Sequence, residues 1–212
     1  MIVDAGPPGS VPPPEVVAPI AAALRAGRVV ALPTDTVYGL AALPGVEGAT
    51  AGLFALKGRS DDVPVAVLCA SAEEALGLAA PAAVDDEVRR IADRLWPGPL
   101  TLVLPRRPGL GYALGQPADT VGVRCPDLPL VRALAEDLGP LATTSANRHR
   151  EPTPATAAGV AEVFGAELDL VVDGGACAGV PSTVVDATGG SWRLLREGPV
   201  SLRDVEAAAT GG

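Results

Sequence analysis

The sequence predicts an α/β domain in which helices cover both sides of an open β-sheet. Short apolar segments alternate along the chain with segments of helical periodicity, which is the pattern of such domains. The predicted strands are apolar at consecutive positions, as expected for strands that are buried on both faces. The 212 residues are 48% apolar, which is enough for one sizeable core, and the 3% aromatic content means that Ala, Val and Leu must build it.

Eight segments are predicted as strands because each is a short apolar or β-branched run bounded by Gly, Pro or polar residues. The last two are expected to pair with each other across the Gly-Gly turn at residues 189–190. The predicted strands are residues 28–32, 64–69, 100–104, 120–124, a short stretch within 139–147, 168–172, 183–186 and 192–196.

Seven segments are predicted as helices because their apolar residues recur at helical spacing, often before a Gly. They are residues 15–26, 49–56, 72–79, 82–95, 128–138, 154–164 and 202–209. The polar stretch 34–38 is expected to be the loop that follows the first strand. Residues 1–14 are predicted to form an irregular Pro-rich arm, and residues 15–212 a single domain.

Composition excludes several classes of protein. The net charge of -9 disfavours a protein that wraps a nucleic-acid backbone, since this requires a basic surface. The cysteines Cys69, Cys125 and Cys177 form no CxxC pair, and the single histidine, His149, excludes a multi-His metal centre. The sequence has neither a secretory signal pattern nor an apolar run of membrane-spanning length, so we expect no membrane association and a cytoplasmic location.

Common catalytic motifs are also missing from the sequence. There is no GxxxxGK[ST] phosphate-binding loop, no GxGxxG motif after a strand, and no GxSxG turn with its nucleophilic serine. The sequence therefore offers no obvious residue for covalent catalysis.

Polar residues instead cluster where predicted strands and helices end. Among the 16 basic residues, Lys57 is the only lysine. Ligands bind at strand ends in open α/β sheets, so we expect these residues to converge on one crevice. Arg suits planar oxyanions and Lys suits phosphates, which predicts a site for a triphosphate and a small carboxylate. The candidates are Thr34, Thr36, Tyr38, Lys57, Arg59, Arg124, Ser145, Asn147, Ser182, Thr183 and Arg196.

Each candidate also has a purely structural interpretation. Thr34 or Asp35 could cap a turn or a helix, and Ser145 with Asn147 could form a local turn. Arg124 and Arg196 could pair with carboxylates on the surface. Only convergence of these side chains on one cavity distinguishes a binding site from these alternatives.

Seven motifs occur in the order seen in the YrdC-like family, which the chain resembles over roughly residues 14–206. The resemblance is most specific to the threonylcarbamoyl-AMP synthases in their short, single-domain form. The motifs are LPTDTVYGLAA, LFALKGR, WPGPLTLVL, TVGVRCPDLPLV, TTSAN, VDGG…GVPSTVVD and LLREGPVS.

This resemblance implies a twisted, mixed sheet around a concave, anion-binding cavity. It also implies an enzyme that forms threonylcarbamoyl-AMP and pyrophosphate from L-threonine, bicarbonate or CO₂, and ATP. Mg²⁺ would enter with ATP and take no protein side chain as ligand. Other proteins would then transfer the threonylcarbamoyl group to tRNAs that read ANN codons, so this chain would meet tRNA only indirectly.

The resemblance also assigns roles to individual residues. Lys57 and Arg59 would be catalytic and, with Ser145, Asn147 and Arg196, would bind ATP. Threonine would be bound by Thr34, Thr36, Tyr38, Arg124 and Ser182. Two positions depart from many relatives: Asp35 replaces a glutamate, and Arg148-His149-Arg150 follows the TTSAN motif.

Two other functions fit part of the sequence. YrdC-like modules also occur in enzymes that form a carbamoyl adenylate from carbamoyl phosphate and ATP. An RNA-binding module would use the same basic residues to hold phosphates, although the overall negative charge and the few aromatic residues disfavour it.

Overall fold

The computed structural model describes residues 1–7, 9–58, 60 and 63–211, and within this part of the chain ten strands form one sheet. The strands are β1 (Ile2–Asp4), β2 (Val30–Leu32), β3 (Gly39–Ala42), β4 (Ala66–Leu68), β5 (Leu100–Pro105), β6 (Thr120–Arg124), β7 (Leu141–Ser145), β8 (Leu170–Asp173), β9 (Thr183–Asp186) and β10 (Arg193–Arg196). Their spatial order is β1-β8-β2-β3-β7-β4-β6-β5-β9-β10. Four neighbouring pairs are parallel and five are antiparallel, so the predicted mixed sheet is confirmed.

Seven α-helices connect these strands in the described residues. They are α1 (Pro14–Arg25), α2 (Ala49–Lys57), α3 (Ala72–Leu76), α4 (Asp86–Leu95), α5 (Pro129–Leu138), α6 (Ala157–Phe164) and α7 (Leu202–Thr210). Several begin with a polar cap, such as the reciprocal Ser201–Asp204 capping box at the start of α7. Of the helices described, none is long and apolar enough to cross a membrane.

The sheet buries apolar side chains on both faces, as the strand composition predicts. In β2, Val30 and Leu32 pack into a cluster with α1 and α5, whereas Ala31 belongs to a separate cluster on the opposite face. This alternation is the two-residue period of a β-strand. The opposite face is covered by α2, α4, α6 and α7, which contribute Leu53, Ile91, Val160 and Val205, among others. Helices therefore lie on both sides of the sheet.

Two strands differ from the sequence prediction. The arm was expected to be irregular, but Ile2–Asp4 forms the edge strand β1, parallel to β8 with Ile2 opposite Val171. Residues 39–42 were not predicted as a strand, yet β3 pairs with β2 in an antiparallel hairpin. The sequence GLAA lacks β-branched and aromatic residues, so its strand character comes from pairing with β2 and β7. The polar stretch 34–38 is therefore the loop of a hairpin.

Truncation of a leucine in the α1/α5 layer should test how much this layer stabilises the sheet. Leu134 is fully buried, so Leu134→Ala should lower the free energy of unfolding by about 3 kcal/mol through lost burial and a residual cavity. Leu194, on the edge strand β10, is 39% exposed, so Leu194→Ala should cost less than about 1 kcal/mol. Urea denaturation measures both values, and equal losses would contradict the assigned packing.

Candidate functional site

A cavity of about 320 Å³ lies on the sheet face that α1 and α5 cover elsewhere. Leu68 belongs to the α1/α5 cluster and also lines the cavity. Gly39 lines the cavity too, two residues before Ala41 of the same cluster. A Cβ at Gly39 would approach Thr143 Cγ2 to 2.8 Å, so glycine keeps this part of the floor open. The site is thus the part of the sheet face that the two helices leave bare.

The hairpin loop between β2 and β3 forms one wall of the cavity. Thr34 Oγ1 accepts hydrogen bonds from the backbone N–H groups of Thr36 and Val37 at 3.1 and 3.2 Å, and it lies 2.9 Å from Thr36 Oγ1. Thr34 therefore stabilises the turn, which was its proposed structural role. It also lines the cavity, as expected for a residue of the binding site. The turn holds two hydroxyl groups at the cavity wall.

Arg124, at the end of β6, is the most constrained cation of the cavity. Its Nη2 donates to Asp35 Oδ1 at 2.6 Å, its Nη1 to Thr36 Oγ1 at 3.0 Å and its Nε to the Gly98 carbonyl at 2.9 Å. Burial lowers the pKa of Arg124, and the Asp35 carboxylate opposes this shift. The partner is thus a largely buried carboxylate, and the alternative of a surface ion pair is wrong. These three contacts use three of the five N–H donors of a guanidinium.

Arg196 approaches the same cavity from β10. Its Nε donates to the Ser182 carbonyl and its Nη2 to Ser182 Oγ, both at 2.9 Å. Ser182 Oγ lies 3.0 Å from Thr101 Oγ1 on β5. The pKa of Arg196 is lowered first by burial and then by the positive charge of Arg124. An anion bound between the two guanidinium groups would relieve this repulsion.

Lys57, the last residue of α2, lies directly behind the cavity wall. Its Nζ donates to Ser145 Oγ at 3.0 Å, to the Asn147 carbonyl at 2.9 Å and to Asn147 Oδ1. Ser145 lines the cavity, whereas Asn147 and Lys57 are buried behind it. Arg196 therefore lines the cavity, whereas Lys57 was expected to line it and instead contacts it only through Ser145.

The expectation that Tyr38 lines the cavity is wrong. Its side chain is fully buried in the cluster on the opposite sheet face, with Leu40 two residues further on. The phenol donates a 2.8 Å hydrogen bond to the Gly175 carbonyl. Tyr38 therefore anchors the hairpin loop to the segment after β8, on the side of the sheet away from the cavity.

Other candidates have different outcomes. Arg59 lies outside the described residues. Thr183 turns away from the cavity and donates to the Val200 carbonyl at 2.6 Å. Sequence reasoning missed Thr101, which lines the cavity from β5 and bonds Ser182. Thr101 is the single hydroxyl residue in the apolar strand LTLVL, and this could have marked it as a site candidate. Which face of the sheet it occupies, however, depends on the register of β5 with its neighbours.

The cavity wall is cationic and hydroxyl-rich. The residues that line it in the described part of the chain include no Asp or Glu, and Asp35 is paired with Arg124. No group of three or more His, Cys, Asp and Glu residues among those described could hold a metal ion. The arrangement can bind one or more anions and orient them with hydroxyl groups.

The fold and the cavity define an anion-binding α/β domain. The family model described as "Telomere recombination", which covers the Sua5, YciO and YrdC proteins, matches residues 22–198. The chain therefore belongs to the Sua5/YciO/YrdC family, as its resemblance predicted.

Within this family, the chain is similar to proteins named threonylcarbamoyl-AMP synthase. The chain is 40% identical over 185 residues to the threonylcarbamoyl-AMP synthase of Pyrococcus abyssi. The aligned region covers 86% of this chain and 54% of the relative. It is 38% identical over 186 residues to a putative threonylcarbamoyl-AMP synthase of Mycobacterium tuberculosis, covering 86% and 84%. The crystal structure of P. abyssi Sua5 complexed with L-threonine matches with a TM-score of 0.89 at 36% identity, covering 98% of this chain and 60% of that chain. The chain thus spans about half of the archaeal relative and most of the mycobacterial one.

The burial of Tyr38 predicts a specific dependence of stability on pH. Burial raises the pKa of Tyr38 from 10.0 to about 12, so the folded state holds the phenolic proton more tightly than the unfolded state. The stability from this group is complete below pH 10 and is lost as the pH rises through about 12. At pH 9, Tyr38→Phe should lower the free energy of unfolding by about 1 kcal/mol through the lost hydrogen bond.

At pH 11.5 this difference should reverse, because the wild type will have lost roughly 2 kcal/mol that the variant does not lose. Urea denaturation of both proteins at the two pH values measures the difference. A difference that is independent of pH would contradict the assigned environment of the phenol.

Proposed function

We propose that this chain is a threonylcarbamoyl-AMP synthase that forms threonylcarbamoyl-AMP and pyrophosphate from L-threonine, bicarbonate or CO₂, and ATP. The observation that carries the proposal is the convergence of Arg124, Arg196 and the Lys57–Ser145 pair on one cavity. The relative with bound L-threonine, which matches nearly the whole chain in fold, supports the same conclusion.

The geometry supports two neighbouring subsites. Thr34, Thr36, Arg124 and Ser182 all line the cavity, where Arg124 can bind the carboxylate of threonine and the hydroxyls can orient its polar groups. In the nucleotide subsite, Ser145 and Arg196 line the cavity, Lys57 and Asn147 lie behind Ser145, and Arg59 is assigned by the sequence alone. Tyr38 is not part of either subsite because it faces the opposite side of the sheet.

The proposed reaction has two steps. The threonine amine attacks CO₂ and loses a proton, which gives N-carboxythreonine. A carbamate oxygen then attacks the α-phosphorus of ATP, the bond from this phosphorus to the bridging oxygen breaks, and pyrophosphate leaves. The carbamate is already an anion, so the second step needs no strong protein base. The protein contributes orientation and positive charge, which Lys57 and Arg196 can supply as pyrophosphate departs.

Mg²⁺ would enter the site together with ATP. The described cavity residues offer hydroxyls but no carboxylates, and such a wall holds Mg²⁺ only with the help of phosphate oxygens. When bound, the ion would neutralise phosphate charge and favour release of pyrophosphate.

The wider role of the protein also belongs to this proposal. The product would pass to separate proteins that transfer the threonylcarbamoyl group to ANN-decoding tRNAs. The chain itself would contact tRNA only through those proteins, and a cytoplasmic location is expected for this pathway.

The decisive assay measures pyrophosphate release from ATP and bicarbonate with L-threonine, with L-serine, and with no amino acid. We expect release that depends on L-threonine. Turnover with carbamoyl phosphate and without threonine would instead indicate the carbamoyl-adenylating alternative. Salt-dependent tRNA binding without ATP, together with no pyrophosphate release, would indicate the RNA-binding alternative.

Removal of the ammonium group behind Ser145 tests the nucleotide subsite. Lys57→Ala should lower kcat on the order of a hundredfold, because one such donor contributes about 3 kcal/mol to stabilisation of the transition state. The position of Ser145 in the cavity wall should be kept in this variant, since Ser145 Oγ also donates to Asn147 Oδ1 at 2.6 Å. Arg25→Ala, which removes a surface ion pair with Asp137, is the control and should retain wild-type turnover. Near-wild-type kcat in a folded Lys57→Ala variant would refute the assignment.

A further inference from the structure

We propose that Arg148 is a positioning residue for Lys57. In this role its side chain holds the C-terminal end of α2 so that the Lys57 ammonium stays against Ser145 and Asn147. The kinetic consequence of this role rests on the proposed function, whereas the structural consequence does not.

Arg148 contacts the end of the helix that carries Lys57. The last carbonyl groups of an α-helix have no partner within the helix and need donors from elsewhere. Arg148 Nη1 donates to the Leu56 carbonyl at 2.8 Å, and the His149 backbone N–H donates to the Lys57 carbonyl at 3.0 Å. A positive charge at this end of a helix is also favourable for the helix dipole. The loop after β7 therefore fixes both of the final residues of α2.

The guanidinium of Arg148 is itself held on two other sides. It forms a two-pronged ion pair with Glu167, from Nη1 to Oε2 at 3.3 Å and from Nη2 to Oε1. Its central carbon lies 4.8 Å from the ring centre of Phe164, a core residue of α6. Arg148 thus connects α2 to α6 and to the short 3₁₀-helix Gly165–Glu167. These contacts on several sides hold its side chain in one position.

The backbone carbonyl of Arg148 orients the side chain of Asn147, which accepts a hydrogen bond from Lys57. Asn147 Nδ2 donates to the Arg148 carbonyl at 2.9 Å and to the Glu151 carbonyl. These two contacts turn Asn147 Oδ1 toward the donors Lys57 Nζ and Ser145 Oγ. One residue therefore sets the position of the ammonium through its side chain and the orientation of the acceptor through its carbonyl.

Exposure distinguishes this role from a contribution to stability alone. The side chains of Arg148 and Glu167 are 35% and 54% exposed, and ion pairs of this kind contribute little to folding. Loss of Arg148 should therefore displace Lys57 without unfolding the protein.

Because Lys57 is the only lysine, labelling of lysine side chains with ¹³C and ¹⁵N gives a single ammonium signal without any ligand. In Arg148→Ala we expect this signal to move toward that of an exposed lysine, with ammonium hydrogen exchange at least threefold faster. Glu167→Gln, which weakens the hold on Arg148, should give a smaller change in the same direction. Arg25→Ala is the matched control and should leave the signal unchanged.

An unchanged Lys57 signal in Arg148→Ala would overturn the proposal. If Arg148→Ala does not fold, the Glu167→Gln signal decides in its place, and a wild-type spectrum there would also overturn it. These results need no catalysis, so they stand even if the proposed function fails.

Kinetics provide the second test, in the form of a double-mutant cycle. Arg148→Ala should lower kcat about tenfold in the wild-type background, because small displacements of a catalytic group are costly. In the Lys57→Ala background the same change should cost less than twofold, since the residue that Arg148 positions is already missing. Arg148→Lys should recover part of the loss. A tenfold loss in both backgrounds would show that Arg148 does not act through Lys57, whereas an inactive wild type would refute the function only.

Discussion

Arg124 and Asp35 form an ion pair between the end of β6 and the β2–β3 hairpin loop, with side chains that are only 5% and 13% exposed. A guanidinium this deeply buried is tolerated only when hydrogen bonds replace the water that it has lost. Asp35, Thr36 and the Gly98 carbonyl supply them from two separate parts of the chain. The same contacts lock the hairpin loop, and with it Thr34, against the cavity. The hydrogen bonds that the buried Arg124 guanidinium requires thus fix the position of the hairpin loop that forms this wall of the cavity.

The cavity itself follows from the unequal coverage of a sheet. On the side of β8, β2 and β3, helices α1 and α5 pack onto the sheet and their leucines and isoleucine fill the space. Toward β6, β5 and β9, the same face carries Thr101, Gly122 and Arg124 and remains open. The opposite face of these strands is largely apolar and packs onto helices, with Leu102, Val123 and Val185 buried and the Thr183 hydroxyl bonded to the Val200 carbonyl. The strands can carry polar groups on one side because their other side supplies the core.

Much of the fold could be predicted from the sequence, since most strands and helices lie within a few residues of their predicted positions. The exceptions have physical causes. β3 is a strand through pairing with its neighbours and has no strong intrinsic preference. Tyr38 was misplaced because the side to which a residue points depends on the register of the hairpin: the turn residues Thr34 and Thr36 reach the cavity, whereas Tyr38 shares the face of Leu40. Ser182 and Arg196 were grouped because each lies at an end of one of two strands predicted to pair, but the register that brings their side chains into contact could not be read from the sequence.

The overall charge of -9 and the cationic cavity are compatible because charge acts locally. Within the described cavity wall, positive groups outnumber negative ones, and low-dielectric surroundings strengthen their effect on a bound anion. The acidic surface outside the cavity would repel a long polyanion such as RNA, whose phosphates extend beyond any cavity of about 320 Å³. A nucleotide or an amino-acid carboxylate, by contrast, can place all of its negative charge inside. The distribution of charge therefore favours small anionic substrates over nucleic acid, and it does so independently of the relatives that the chain resembles.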